Sequence, residues 1–319
     1  MESPRTLIEA VRFFSNLDTC QKFMADIKWP SGEIACPNCG GREIGEIKSR
    51  RKFQCKAKGC RKQFSVKVGT IFEDSPLGLD KWLVCVWCIT NDKNGISSYE
   101  VARALGVTQK TAWFMLHRVR VAMAEGKSDQ LSGVCESDET MVGGLSKNMH
   151  KDVRARKITG TGSCGKTIVH GILQRGDDDT PSQVRVKVVA NQKRATLQAE
   201  IKQNVKAGIT VYTDSLKSYE GLDAMYVHDM VDHAIEYVRG EVHTNGMENF
   251  WSLLKRSLKG TYVAVAPKHL TRYCAEQAFR FNERVGNDAS RFNKVMQSVP
   301  GKRLMYKQLT EKTEATAGC

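Results

Sequence analysis

Three acids far apart in the chain stand in settings suited to one piece of chemistry. Asp138 and Asp214 each sit at the end of a strand-like run, the second being Ile209-Thr-Val-Tyr-Thr-Asp214. Glu248 lies in the helix-like stretch His243-Thr-Asn-Gly-Met-Glu248-Asn-Phe-Trp251-Ser-Leu-Leu-Lys255-Arg256. There Glu248, Ser252, Lys255 and Lys259 recur at helical spacing, while Phe250, Leu253, Leu254 and Leu258 form an apolar stripe turned elsewhere. By itself the stretch also fits an ordinary amphipathic helix with a solvated Glu and Lys. With two strand-end acids it becomes a set of hard oxygen donors for magnesium or manganese. Phosphodiester transfer needs an attacking oxygen activated and a leaving oxygen stabilised, which two such ions about 4 Å apart accomplish. Asp138 would bridge the ions, Asp214 and Glu248 would each complete one side, and Lys255, two turns beyond Glu248, would hold a phosphate. Among competing acids, Glu136 shares the strand face of Asp138, whereas Glu139 points to the opposite face. Asp229 and Asp232 flank His228 and His233 as an alternative transition-metal cluster.

The elements that must position these acids follow from periodicity. A strand carries Glu136 to Glu139 and leads into a basic loop with Lys147, His150, Lys151, Arg154, Arg156 and Lys157. Two β-like runs follow, Lys166 to Leu173 and Gln183 to Ala190, joined by the polar turn Gly176-Asp177-Asp178-Asp179. Thr196 to Val205 reads as a helix and Ile209 to Asp214 as a short buried strand. Three strands, a helix, a strand and later helices make the order of an RNase H-like α/β domain, with a mixed sheet and flanking helices. The expected divisions are an N-terminal helix and zinc ribbon over residues 1–75, a helix-turn-helix unit over 76–126, the RNase H-like domain over 127–290 and a tail over 291–319.

The first of these units rests on Cys36-Pro-Asn-Cys39 and Cys55-Lys-Ala-Lys-Gly-Cys60, two close thiolate pairs suited to tetrahedral structural zinc. Lys48, Arg50, Arg51, Lys52, Lys56, Lys58, Arg61 and Lys62 crowd around Phe53 and Phe64, a pattern that suits phosphate binding as well as plain solvation. In the second unit, Leu79 to Thr90 is apolar nearly all round, so Cys85 and Cys88 within it read as core cysteines. Ser97 to Arg118 then gives a short helix, a turn at Gly106 and a second helix capped by Thr108. That is the pattern of a helix-turn-helix, in which Gln109 and Lys110 would face DNA, with His117 either beside them or packed.

Composition narrows the classes of partner. The 319 residues carry 49 Lys and Arg against 35 Asp and Glu, a net charge of +14 that favours a polyanion such as double-stranded DNA. No run approaches the length of a membrane span, and the N-terminus lacks a secretory core, so the protein is expected in the cytoplasm, on the nucleoid, with no membrane partner. Eleven cysteines, an odd number, suit metal ligation of a subset better than a disulfide framework.

The ordered set of ribbon, helix-turn-helix, ESDETMVGG, VYTDSLKSYEGL, HTNGMENFWSLLKRSLKGTY and KHLTRYCAEQAFRFNER resembles the bacterial insertion-sequence transposases of the ISXO2-like (IS fifteen-ninety-five) family, over about residues 15–285. The resemblance implies a DDE transposase that binds the ends of its own element and cuts and rejoins DNA with magnesium. Position by position, it carries the three acids onto Asp138, Asp214 and Glu248, the following lysine onto Lys255, and the ribbon cysteines onto Cys36, Cys39, Cys55 and Cys60. Family members vary at the third acid; here Glu248, rather than Asn245 or Asn249, supplies a carboxylate with a lysine two turns on. Holding two element ends together further implies a homodimer or larger assembly on DNA. Two alternatives are a zinc-ribbon DNA regulator with an inactive scaffold and an RNase H-like nuclease that cuts without rejoining.

Overall fold

The computed structural model describes residues 4–124, 126, 129–144, 150–157, 165–231 and 242–311. The chain divides into two compact units, one of residues 1–124 with 286–311 and the other built on 125–285.

Unit 1 begins with two helices, α1 (Leu7–Phe14) and α2 (Leu17–Lys28), capped by Thr6 and Asn16, whose side chains accept the first free backbone N–H groups. A three-stranded antiparallel ribbon follows, with β1 (Ile44–Ile47), β2 (Lys52–Cys55) and β3 (Gln63–Phe64) in that spatial order. Next come α3 (Leu79–Asn91), α4 (Ser98–Leu105) and α5 (Gln109–Met123). A capping box of Ser97 and Glu100 starts α4, and Gly106, at φ 59°, ends it. Thr108 caps α5 through the Thr111 N–H. The C-terminal segment returns to this unit: Phe292 packs against Phe14, Phe23 and Trp87.

Unit 2 is a five-stranded mixed sheet of β4 (Cys135–Val142), β5 (Thr167–Gln174), β6 (Gln183–Val189), β7 (Thr210–Asp214) and β8 (Val227–Val231), ordered β6-β5-β4-β7-β8. The first three strands form an antiparallel meander, and β7 and β8 add in parallel. Its helices are α6 (Lys151–Lys157), α7 (Arg194–Asn204), α8 (Asn245–Arg256) and α9 (Pro267–Asn282), and unit 1 regains the chain in α10 (Asp288–Gln297) and α11 (Tyr306–Thr310).

Strand alternation divides the sheet into two apolar faces. One carries Val169, Leu173 and Val184 beneath Met247, Phe250, Trp251 and Leu254 of α8 and Tyr273 and Phe281 of α9. The other carries Cys135, Ile172 and Val211 against Leu197 and Ile201 of α7. This mixed α/β arrangement is consistent with the RNase H-like order expected from the sequence. Strand β8 is an addition, since its residues stood out in the sequence as a His and Asp cluster. Residues 286–311, expected at a domain end and in a tail, instead supply two helices to unit 1. Among the described residues, no helix is long and apolar enough to cross a membrane.

Candidate active site

Asp138 and Asp214 are brought level by one parallel register. The β4 and β7 pairing runs Cys135↔Val211, Glu136↔Tyr212 and Ser137↔Thr213, so the next residue on each strand is one of the two acids. Alternation puts both on the face of Glu136 and Tyr212, which α8 covers. Helix α8 approaches this face closely because Asp138 stands opposite Gly171 on β5. A Cβ on Gly171 would lie 2.3 Å from Met247 Cε and 2.7 Å from the Trp251 ring. From α8, Trp251 Nε1 donates to Asp138 Oδ2 at 2.9 Å, and Glu248 stands exposed one turn earlier. Asp138 Oδ1 accepts the Glu139 N–H, and Asp214 Oδ1 accepts the Leu216 N–H at the strand end.

The electrostatics match this convergence. Burial pushes the Asp138 carboxyl up to about 6, the Glu139 N–H and the Trp251 indole oppose the rise, and the charges of Asp214 and Glu248 add to it. Like charges gathered in a partly dry site destabilise one another, and a divalent cation relieves that cost. The oxygen-only donor set therefore fits magnesium or manganese. Lys255 is exposed on α8.

The acids flanking Asp138 have different surroundings. Glu136 is 1 % exposed; its Oε1 accepts from Arg175 Nε at 2.8 Å and its Oε2 from the Met247 N–H at 2.9 Å, in the first turn of α8. Glu139 lies on the opposite face, where it accepts the Tyr219 hydroxyl and faces His170 across the strand pair. Burial first, then the charges of Asp214 and Asp138, push its carboxyl up to about 7 against the Tyr219 hydrogen bond. Burial likewise lowers His170 to about 4, and its Nε2 lies 2.9 Å from Ser137 Oγ. Neither Glu136 nor Trp251 was singled out for such a role in the sequence. The only hint was that a buried carboxylate and a buried indole N–H each require a partner.

The four ribbon cysteines form a second constellation. Their ligand atoms all lie within 4.8 Å of one another, with Cys36 Sγ 3.7 Å from Cys60 Sγ and Cys39 Sγ 3.6 Å from Cys55 Sγ. A tetrahedron of Zn–S bonds near 2.3 Å has edges of about 3.8 Å, so the set fits zinc. Gly40 and Gly59, at φ 72° and 87°, turn the two knuckles. Among the described residues these cysteines are the group drawn to that spacing; the three carboxylates are not gathered so tightly.

The expected DNA-facing residues are mixed in setting. Arg50, Arg51, Lys52, Arg61 and Lys62 are exposed on the ribbon, where Arg51 pairs with Asp18 and Lys62 donates to Asn38. Phe53 and Phe64 are buried against Trp29 and unavailable for stacking on bases. Gln109 is half-buried and donates to Ser98, and Lys110 is exposed with its ammonium 5.0 Å from the Tyr306 ring centroid. His117 takes the packed alternative, fully buried with its ring edge-on to Trp113. Cys85 is also buried, and burial raises its thiol and that of Cys88. Asp177 binds the N–H groups of Asp179 and Thr180, as a polar turn does. In the alternative metal cluster, His228 and Asp229 are adjacent on β8 and so point to opposite faces, with His228 on Thr213. Asp232, His233 and Lys147 lie outside the described residues, as do the side chains of Arg156 and Lys157.

The ISXO2-like transposase domain matches residues 130–282 and the transposase zinc-ribbon domain matches residues 16–63. A protein in transposable element ISH50 of Halobacterium salinarum is 28% identical over 285 residues, covering 86% of this chain and 93% of that protein. A transposase-like protein of Haemophilus influenzae is 34% identical over 101 residues, 31% of this chain and 81% of its own length. No solved structure matches the chain.

Proposed function

Because the chain belongs to the ISXO2-like family of insertion-sequence transposases, we propose that it binds the terminal inverted repeats of its element and catalyses metal-dependent DNA strand cleavage and strand transfer. The observation that carries the reading is the level register of Asp138 and Asp214 under α8, where burial first, and then the charges of Asp214 and Glu248, raise Asp138 to about 6. Asp138, Asp214 and Glu248 would hold two magnesium or manganese ions, which supply activation of the attacking oxygen and neutralisation of the leaving oxygen. The Trp251 indole fixes one oxygen of Asp138, so the carboxylate does not turn away from the cleft. Lys255 offers a point charge to a phosphate of the bound strand. In cleavage, a water oxygen attacks phosphorus and loses its proton while the P–O3′ bond breaks and the departing 3′ oxygen takes up a proton. In transfer, that freed 3′-hydroxyl loses its proton and attacks a target phosphorus, and the target strand's own 3′ oxygen leaves and is protonated.

DNA binding is assigned to the ribbon cations Arg50, Arg51, Lys52, Arg61 and Lys62 and to the α4-turn-α5 pair acting as a helix-turn-helix. Since α5 is largely buried beyond its first turn, the contact falls on that turn, near Gln109 and Lys110. Element ends and target are both duplex DNA, and pairing two ends calls for a dimer or larger assembly, which light scattering with end DNA would detect.

The test is an assay with labelled element ends and magnesium. The parent protein nicks the ends and joins them to target, and Asp138→Ala does neither. Equal cleavage by the variant refutes the reading, and cleavage without joined product leaves a nuclease in its place.

A further inference from the structure

We infer that the buried ion pair of Glu136 and Arg175 is a positioning device that sets Glu248 relative to Asp138 by holding the first turn of α8 on strand β4. This rests on the reading of Asp138, Asp214 and Glu248 as the metal-binding acids. Glu136 precedes Asp138 by one full strand repeat on the same face, so whatever its carboxylate grips is registered to Asp138 through rigid backbone. It grips α8: Oε2 accepts the Met247 N–H at 2.9 Å, and a Cβ on Gly246 would come within 2.8 Å of the same oxygen. Met247 is the residue before Glu248. An anionic acceptor at a helix N-terminus satisfies a free N–H and favours the positive end of the helix dipole.

The other carboxylate oxygen is held by Arg175, which follows the last residue of β5. Its guanidinium donates to Glu136 Oε1 at 2.8 Å and to the His243 carbonyl at 2.9 Å, and it lies 4.8 Å from the Tyr212 ring centroid. His243 belongs to the segment leading into α8, so the pair clamps the helix entry from both sides. Glu136 has only the 1 % exposure that would suit a buried structural acid, and both its oxygens are engaged. It therefore acts through α8 rather than as a ligand.

Position and charge can be separated because the partners have opposite sign. Acting only through its field, loss of the Glu136 charge would weaken cation binding and loss of the Arg175 charge would strengthen it. Acting by position, both weaken it. Mn2+ binding is measured by electron paramagnetic resonance on the full chain, for the parent, Asp138→Ala, Glu136→Gln and Arg175→Gln, with folding checked by circular dichroism. Arg175 is partly exposed, so its variant keeps the test usable if Glu136→Gln does not fold. Both clamp variants are expected to lose on the order of 10-fold in Mn2+ affinity, as outer-shell changes commonly do. Arg175→Lys, which keeps the charge, should retain part of that affinity. Binding lost in Asp138→Ala but unchanged, or shifted in opposite directions, in the two clamp variants overturns the inference alone. Binding untouched by Asp138→Ala overturns the reading of the acids, and the inference with it.

Discussion

Replacing Glu139 with Gln should stabilise unit 2 at neutral and alkaline pH while changing little in acid. Burial and the neighbouring Asp214 and Asp138 raise this carboxyl from its ordinary 4.5 to about 7, despite the Tyr219 hydrogen bond. A group whose folded pKa exceeds its unfolded value contributes stability that is fully present below the unfolded value and lost as pH rises through the folded one. At ~1.4 kcal/mol per pH unit, the parent should lose roughly 3 kcal/mol of unit 2 stability between pH 4.5 and pH 8 through this side chain. Gln is neutral throughout and its Oε1 can still accept the Tyr219 hydroxyl, so the variant should escape that loss. His170 has the opposite sign, its depressed pKa making acid destabilising, and Asp138 has the same sign as Glu139; both are common to the two proteins and largely cancel in the difference. Hydrogen exchange of the β4 and β5 amides, in chelator and at several pH values, reports unit 2 by itself. The stability difference, variant minus parent, should climb by about 3 kcal/mol from pH 4 to pH 8. A difference that is flat with pH, or that falls, would instead show Glu139 to be ionised in the folded state and held by Tyr219.

Other expectations concern the helix and the ribbon. Trp251→Phe keeps the ring but removes the donor to Asp138, and loss of a hydrogen bond to a charged group, about 1.5–3 kcal/mol, should slow strand cleavage by roughly 10- to 100-fold with the fold intact on circular dichroism. Gly171→Ala drives a methyl into Met247 and Trp251, so thermal unfolding should show about 1–3 kcal/mol of destabilisation, with Gly171→Val worse still. Cys39→Ser should release zinc, counted by metal analysis of the purified protein, and residues 16–63 should then become sensitive to protease, because Trp29, Phe53 and Phe64 alone form too small a core.

Much of this molecule was legible in its sequence because its signals are local. Cysteine spacing identifies a four-thiolate set, since a knuckle is closed within a few residues by Gly40 or Gly59. Hydrophobic period separates strands β5, β6 and β7 from helices α3, α7 and α8, and Ser97, Glu100, Gly106 and Thr108 mark the ends of α4 and the start of α5. Period also assigns faces, so Glu136 and Asp138 were known to share one. It was less informative at β8, a short strand whose His228 and Asp229 mask its period, and over α10, where a tail was expected.

What a residue meets across the fold is not a local property. Only the parallel pairing of β4 with β7 puts Asp138 level with Asp214, and only the fit of α8 over Gly171 brings Trp251 to one acid and the Met247 N–H to another. The same distinction separates His117, buried beside Trp113, from Lys110 on the same helix. Residue type and spacing determined which groups are able to bind a metal or a phosphate. Tertiary packing decided which acids lie level with one another and which are buried and hydrogen-bonded, because burial and register depend on partners far away in the chain.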